Sequence, residues 1–149
     1  TTKFNDVPEV EEDVCIPFGR ARIVAEGADI TVVTNSMMTI KAEKAVRQLQ
    51  KEGISAELID LRTIVPLDTE TIIRSVKKTG KLLIVDEGHL SFGITGEIAS
   101  RIMPDVFYDL DAPIQRMGTA DVPLPFSPAL EFPLIPDEKK IAAKIREMV

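Results

Sequence analysis

Apolar positions along this chain follow two different periods. Ile30-Thr31-Val32-Val33-Thr34 and Leu82-Leu83-Ile84-Val85-Asp86 are short β-branched or aliphatic runs. Such runs suit strands buried on both faces of a sheet. Between them the period lengthens. Ala42, Ala45, Val46 and Leu49 recur at i, i+3, i+4 and i+7, which predicts a helix with one apolar face. Asn35 or Ser36 is placed to cap it, Gly53 to stop it, and Glu43 with Arg47 to pair along its outer side.

The same grammar repeats. Ala21 to Ala25 reads as a first strand. The tight turn Glu26-Gly27-Ala28-Asp29 then suggests an antiparallel hairpin with the Ile30–Thr34 strand. Ala56 to Leu61 is the next strand, and Asp68 caps a helix carrying Ile72, Ile73 and Val76 that Gly80 ends. After the Leu82–Asp86 strand, Glu87 to Phe92 reads as a loop, and a helix bearing Ile94, Ile98 and Ile102 is closed by Pro104. Pro113 to Met117 is a final strand. Residues 123–136 are proline-rich and read as an extended surface connection. Asp137 then caps a last helix with Ile141, Ala142, Ile145 and Met148 on its apolar stripe.

Strand and helix alternate with short connections. Right-handed crossovers satisfy that pattern, so an α/β fold with a mainly parallel sheet covered on both faces is expected. The length of 149 residues fits one domain. Residues 1–19 carry Glu9, Glu11, Glu12 and Asp13 between prolines and read as an acidic arm or linker, with the domain over 20–149. The chain begins with Thr rather than Met, as a fragment or processed product does.

Composition removes several function classes. The net charge of -6 argues against a nucleic-acid or anionic-membrane surface. No apolar run approaches the roughly 20 residues of a membrane span. Cys15 is the single cysteine, which excludes an intrachain disulfide and a cysteine zinc cluster, and fits a reducing compartment. Aromatic residues are 5% of the chain and Trp is absent, so aliphatic side chains must build the core.

In an open parallel sheet, ligands bind beyond the C-terminal ends of the strands. Here those ends offer Asn35-Ser36, Arg62-Thr63 and Glu87-Gly88-His89. Arg62 and Thr63 are candidates for a strand-end anion site, or for a structural tie between the strand end and a neighbouring loop. Asp60 and Arg62 are expected on one side of a strand. Thr34-Asn35-Ser36-Met37-Met38 has no glycine, so the dinucleotide fingerprint is missing. His89 is the sole histidine and has no G-x-S-x-G serine to activate, which favours a loop or interface role. Gly88, Gly93 and Gly96 gather at the start of one helix, where they suit close packing by another subunit, and with His89 they form a candidate interface.

Asp60-Leu61-Arg62-Thr63 and Pro66-Leu67-Asp68 resemble the central signature of the C-terminal domain of transketolase-like enzymes. The likeness is in particular to the β subunit of the thiamine-dependent first component of 2-oxo acid and acetoin dehydrogenase complexes. Ile16 to Ala21, Ser75 to Gly80, Phe92-Gly93 with Gly96 to Ala99, Asp111-Ala112-Pro113 and Pro123 to Glu131 resemble further pieces in the same order. This resemblance implies a three-layer α/β/α domain whose sheet of about five strands has one antiparallel edge strand. It implies a parent oxidoreductase that uses thiamine diphosphate and magnesium, is dimeric or an α/β heterotetramer, and docks to an acyltransferase core. A cytoplasmic location follows, or the mitochondrial matrix in a eukaryote. The Gly-Asp-Gly segment that holds the cofactor in that family is absent from this chain. The chain by itself is therefore expected to assemble rather than to catalyse, with no cofactor of its own. Asp86-Glu87 and Pro125-Phe126-Ser127-Pro128 lean toward the acetoin branch, since many pyruvate-type relatives place a His before that Glu. The alternative is a free-standing α/β domain that binds a small anion.

Overall fold

A computed structural model describes residues 15–149. The acidic run expected to form an arm lies in residues 1–14, outside the described residues. Five strands form one sheet in the order β1-β3-β2-β4-β5. They are β1 (Arg22–Ala25), β2 (Ile30–Thr34), β3 (Ala56–Asp60), β4 (Leu82–His89) and β5 (Gln115–Thr119). All neighbours are parallel except β1, which runs antiparallel on the β3 edge.

Helix α1 (Ser36–Lys51) and helix α5 (Glu138–Met148) cover one face; α2 (Thr69–Thr79) and α3 (Ile94–Val106) cover the other. Alternation along β4 divides the core between them. Leu83 and Val85 face Met38, Leu49 and Ile141, while Leu82 and Ile84 face Ile72, Val76, Ile98 and Ile102. All of these side chains are buried. Every residue of β2 is buried too, as its β-branched run requires.

Several caps stand where the sequence puts them. Asp68 accepts from the Thr71 amide at 3.0 Å, and Asp137 accepts from the Lys140 amide at 2.8 Å. Gly80 closes α2 and Gly53 follows the end of α1. Arg47 and Glu43 pair at 2.6 Å. Asn35 occupies the N-cap position of α1 but makes no side-chain capping bond.

Other expectations need correction. The first strand makes no hairpin with β2. It pairs with β3, Arg22 opposite Asp60, because both edges of β2 are taken by parallel partners. The 26–29 turn instead steps across the start of β3. Ala28 and Asp29 amides both donate to the Ser55 carbonyl at 2.9 Å, and a Cβ on Gly27 would sit 2.2 Å from Ala56 backbone. Gly27 serves close approach, not a hairpin.

Strand β4 continues to His89, through residues that read as loop. Helix α3 runs past Pro104 to Val106. Its last turn survives because the carbonyl orphaned by proline belongs to exposed Ser100, open to water. The final strand lies two residues later than expected. The 123–136 connection is not wholly extended: Pro128–Glu131 form a short helix, α4, and Phe132–Leu134 a 3-10 turn. Proline at the first helical position explains the start of α4.

Candidate functional site

The chain leaves β2 toward β3 on one side and leaves β4 toward β5 on the other. The topological switch therefore lies between β2 and β4, the place where open α/β sheets form a crevice. Thr34 pairs with Val85, so Asn35 falls beside Asp86 at this point. Asp86 is buried and accepts from the Gly88 amide at 3.0 Å. Asn35 Oδ1 and Thr95 Oγ1 are buried without a hydrogen-bond partner among the described residues.

The candidate residues divide into two groups. Gly88 and His89 end β4, while Gly93 and Gly96 flank the start of α3. A Cβ on Gly93 would meet the His89 carbonyl oxygen at 2.1 Å, and one on Gly88 would meet Asp86 Oδ2 at 2.7 Å. The chain's own packing thus accounts for both. Gly96 differs: the one atom its Cβ would meet within 4 Å is a side-chain atom, Arg116 Nη1, at 3.0 Å. That guanidinium donates to the Leu90 carbonyl at 3.3 Å, so Gly96 leaves it room. Beside it, Phe92 is fully exposed and held at φ 58, a conformation bulky residues avoid.

His89 Nδ1 bonds the Ala120 carbonyl at 2.9 Å. Ser91 Oγ donates to Asp121 Oδ2 at 2.6 Å, and Ser91 N to Oδ1 at 3.2 Å. The two Ser91 hydrogen bonds, with His89 charge nearby, hold the Asp121 carboxyl below its usual range. Ser, His and Asp therefore meet here, yet the serine proton rests on the carboxylate and not on the imidazole. A base-activated nucleophile needs the opposite arrangement. These bonds tie the end of β4 to the end of β5.

Arg62 and Thr63 do not share a strand with Asp60, which is the last residue of β3. Arg62 turns at φ 56, and its amide donates to Asp60 Oδ1 at 3.1 Å. Its guanidinium makes no ion pair among the described residues. The Thr63 hydroxyl is already committed, accepting from Gly19 N and donating to the Pro66 carbonyl.

Sequence reasoning missed the apolar character of this end. Met37 and Ile40 follow β2, Ile64 and Val65 follow β3, Phe92 follows β4, and Leu124 and Phe126 follow β5, all exposed. Large apolar residues in turn segments and in the first turns of α1 were the available signal. The residues present do not fit thiamine diphosphate with its magnesium. Among the described residues no group of three His, Cys, Asp or Glu is arranged around a metal, and no diphosphate-binding loop exists in the sequence.

The transketolase C-terminal domain family model matches residues 19–141. The chain belongs to this family. It is 47% identical over 143 residues to the pyruvate dehydrogenase E1 component subunit beta of Rickettsia felis, covering 96% of this chain and 43% of that one. It is 41% identical to the 2-oxoisovalerate dehydrogenase subunit beta of Bacillus subtilis, over 92% of this chain and 42% of the relative. A solved structure described as a split gene transketolase, inactive beta4 tetramer, superposes with a TM-score of 0.76 at 28% identity, over 95% of this chain and 45% of the other. The chain thus spans less than half the length of the relatives it matches. No helix among the described residues is long and apolar enough to cross a membrane.

Proposed function

We propose that this chain is the C-terminal assembly domain of the β subunit of a thiamine diphosphate-dependent 2-oxo acid or acetoin dehydrogenase. It serves subunit association and docking to the complex and does not catalyse by itself. One observation carries the reading. The rim of the sheet where ligands bind in such folds carries exposed Met37, Val65, Phe92 and Phe126 alongside its polar residues. Exposed apolar side chains contribute little to their own core, and in number they mark a protein interface. Gly96, half-buried beside Arg116, carries no side chain to keep a partner backbone from α3. The tetramer formed by the split transketolase is consistent with β-to-β contacts.

In the parent, thiamine diphosphate and magnesium would be held by other domains. The parent would be a homodimer or an α/β heterotetramer, with an acyltransferase as a further partner, in the cytoplasm or the mitochondrial matrix. The anion-binding alternative is less well supported, because the Thr63 hydroxyl is spent within the chain. Sedimentation over a concentration series tests the assembly reading. Self-association that Gly96→Val weakens, with the fold intact, is expected. A chain that stays monomeric at high concentration, alone and with an α subunit supplied, refutes it.

A further inference from the structure

Helix α3 carries two apolar stripes, and the sheet covers one of them. Ile98, Ile102 and Val106 are buried in the core. Ala99, Met103 and Phe107 recur four apart on the flank beside them, and Phe107 is 62% exposed. Strand order explains the difference. β5 is the edge strand, so no further strand lies beyond it to receive this flank. With Leu110 and Ile114 the flank walls a cleft of about 630 Å3, within the roughly 300–1,000 Å3 of small-molecule sites.

Two charged residues line the cleft, Asp111 and Arg116, and they serve opposite ends of it. Asp111 turns its carboxylate to Gly80, where α2 stops. Arg116 reaches the other way, Nη1 donating to the Leu90 carbonyl at 3.3 Å beside the first turn of α3. No carboxylate pairs with it among the described residues, and Glu97 of the same turn is taken by Arg101 at 2.6 Å. A guanidinium beside the positive end of a helix is placed against like charge, and an anion there answers both. Apolar walls that end on one unpaired cation define the chemistry of the occupant: an anionic head with an apolar tail.

We propose that the cleft between α3 and β5 binds an aliphatic monocarboxylate, its head on Arg116 and its tail along Ala99, Met103 and Ile114. A carboxylate matches the guanidinium fork, and the tail displaces water from apolar surface that is already formed. A second anionic group on the ligand would find no second cation in the lining. The site does not rest on the assembly reading.

Octanoate is the probe. It is titrated into the chain at a concentration where the chain sediments as a monomer. Amide resonances of α3 and β5 should shift and saturate, while those of β1 and α5 stay in place. Arg116→Gln should weaken binding about tenfold, the low end for a charge-assisted hydrogen bond because the guanidinium is exposed. Ala99→Phe, which fills the cleft, should weaken it too, with thermal melts confirming that both variants fold. Propionate keeps the head and loses the tail; octylammonium keeps the tail and reverses the charge. Each should bind about tenfold more weakly than octanoate, or not at all. Absence of a saturable shift at α3 and β5, or equal affinity in Arg116→Gln, overturns the proposal. Equal binding of octylammonium does so as well, since the cleft is then an apolar patch without a preferred charge. Cleft resonances that move with chain concentration in the absence of octanoate would seat a second copy there and overturn it too. Every outcome is read on the monomer, whatever association at the rim shows.

Discussion

The two ends of the sheet are built on opposite plans. At the N-terminal ends of the parallel strands, polar side chains are buried and satisfied. Thr31 Oγ1 bonds both Ser75 Oγ and Thr79 Oγ1 at 2.7 Å, beneath α2. Glu57, only 2% exposed, takes hydrogen bonds from Lys78 and from Gly27 N. At the C-terminal ends exposed apolar side chains stand among polar ones such as Arg62, Glu87 and Asp121, and two buried oxygens, on Asn35 and Thr95, have no partner among the described residues. Buried polar groups normally find partners inside their own chain. The first end obeys that rule and so is structural. The second leaves those two oxygens open, and it is the end where this class of fold meets other molecules.

The comparison breaks most severely if Glu57 is dispensable. Glu57→Ala strands the Gly27 amide and leaves Lys78 without its buried partner. The cost should be about 1–3 kcal/mol, read from denaturant midpoints. Acid offers an independent test. Burial pushes the Glu57 carboxyl up, but hydrogen bonds from Lys78, Ser75 and Gly27 N outweigh it and hold the pKa below its ordinary value. A carboxyl that ionises more readily folded than unfolded stabilises above its unfolded pKa. That contribution drains away as pH falls through the folded value. Wild-type stability should therefore decline below about pH 4.3, and Glu57→Gln should decline less. Parallel acid curves for the two proteins would make Glu57 an incidental buried charge.

How much of this was legible in the sequence follows from what each signal measures. Helix faces and caps were readable because 3.6-residue periodicity and the Asp68 and Asp137 side chains act locally. The parallel core was readable from runs such as Ile30–Thr34. The β1 pairing was not, because a short turn holding Gly27 looks the same whether it folds back or steps over a neighbouring strand. Thr63 and Asp68 were visible as a motif, but their bonds to Gly19 and Ala21 join residues 44 and 47 positions apart, beyond any local pattern. The three clustered glycines answer to Asp86, His89 and Arg116 in the same chain, contacts that no local pattern encodes.

Asp68 should show an intermediate effect, since it serves both a helix and the arriving chain. Burial again raises its carboxyl pKa, and the bonds from the Ala21 amide and from Thr71 lower it further, to a net position below the usual range. Asp68→Ala removes the α2 cap at about 0.5–2 kcal/mol and leaves Ala21 N without its acceptor. Its loss should exceed that of Asp137→Ala, a cap with one recorded partner, in matched thermal melts. Equal losses would reduce Asp68 to a helix cap.

The smallest effect is expected at the rim, and its sign is the informative part. Phe92 sits at φ 58 with its ring wholly in water. Left-handed backbone costs an ordinary L-residue roughly 1–2 kcal/mol, whereas Asn tolerates it. The isolated domain gains nothing from the ring to offset that cost. Phe92→Asn should therefore leave folding stability unchanged or raise it by up to about 1 kcal/mol, while self-association, or binding of an α subunit, weakens. The glutamate end of the sheet predicts the reverse pattern, a loss of stability with association unaffected in the folded fraction. If Phe92→Asn instead lowers the unfolding midpoint and leaves association alone, the ring packs on its own domain in solution. The rim would then be one more structural surface, and the contrast between the two ends of the sheet would disappear.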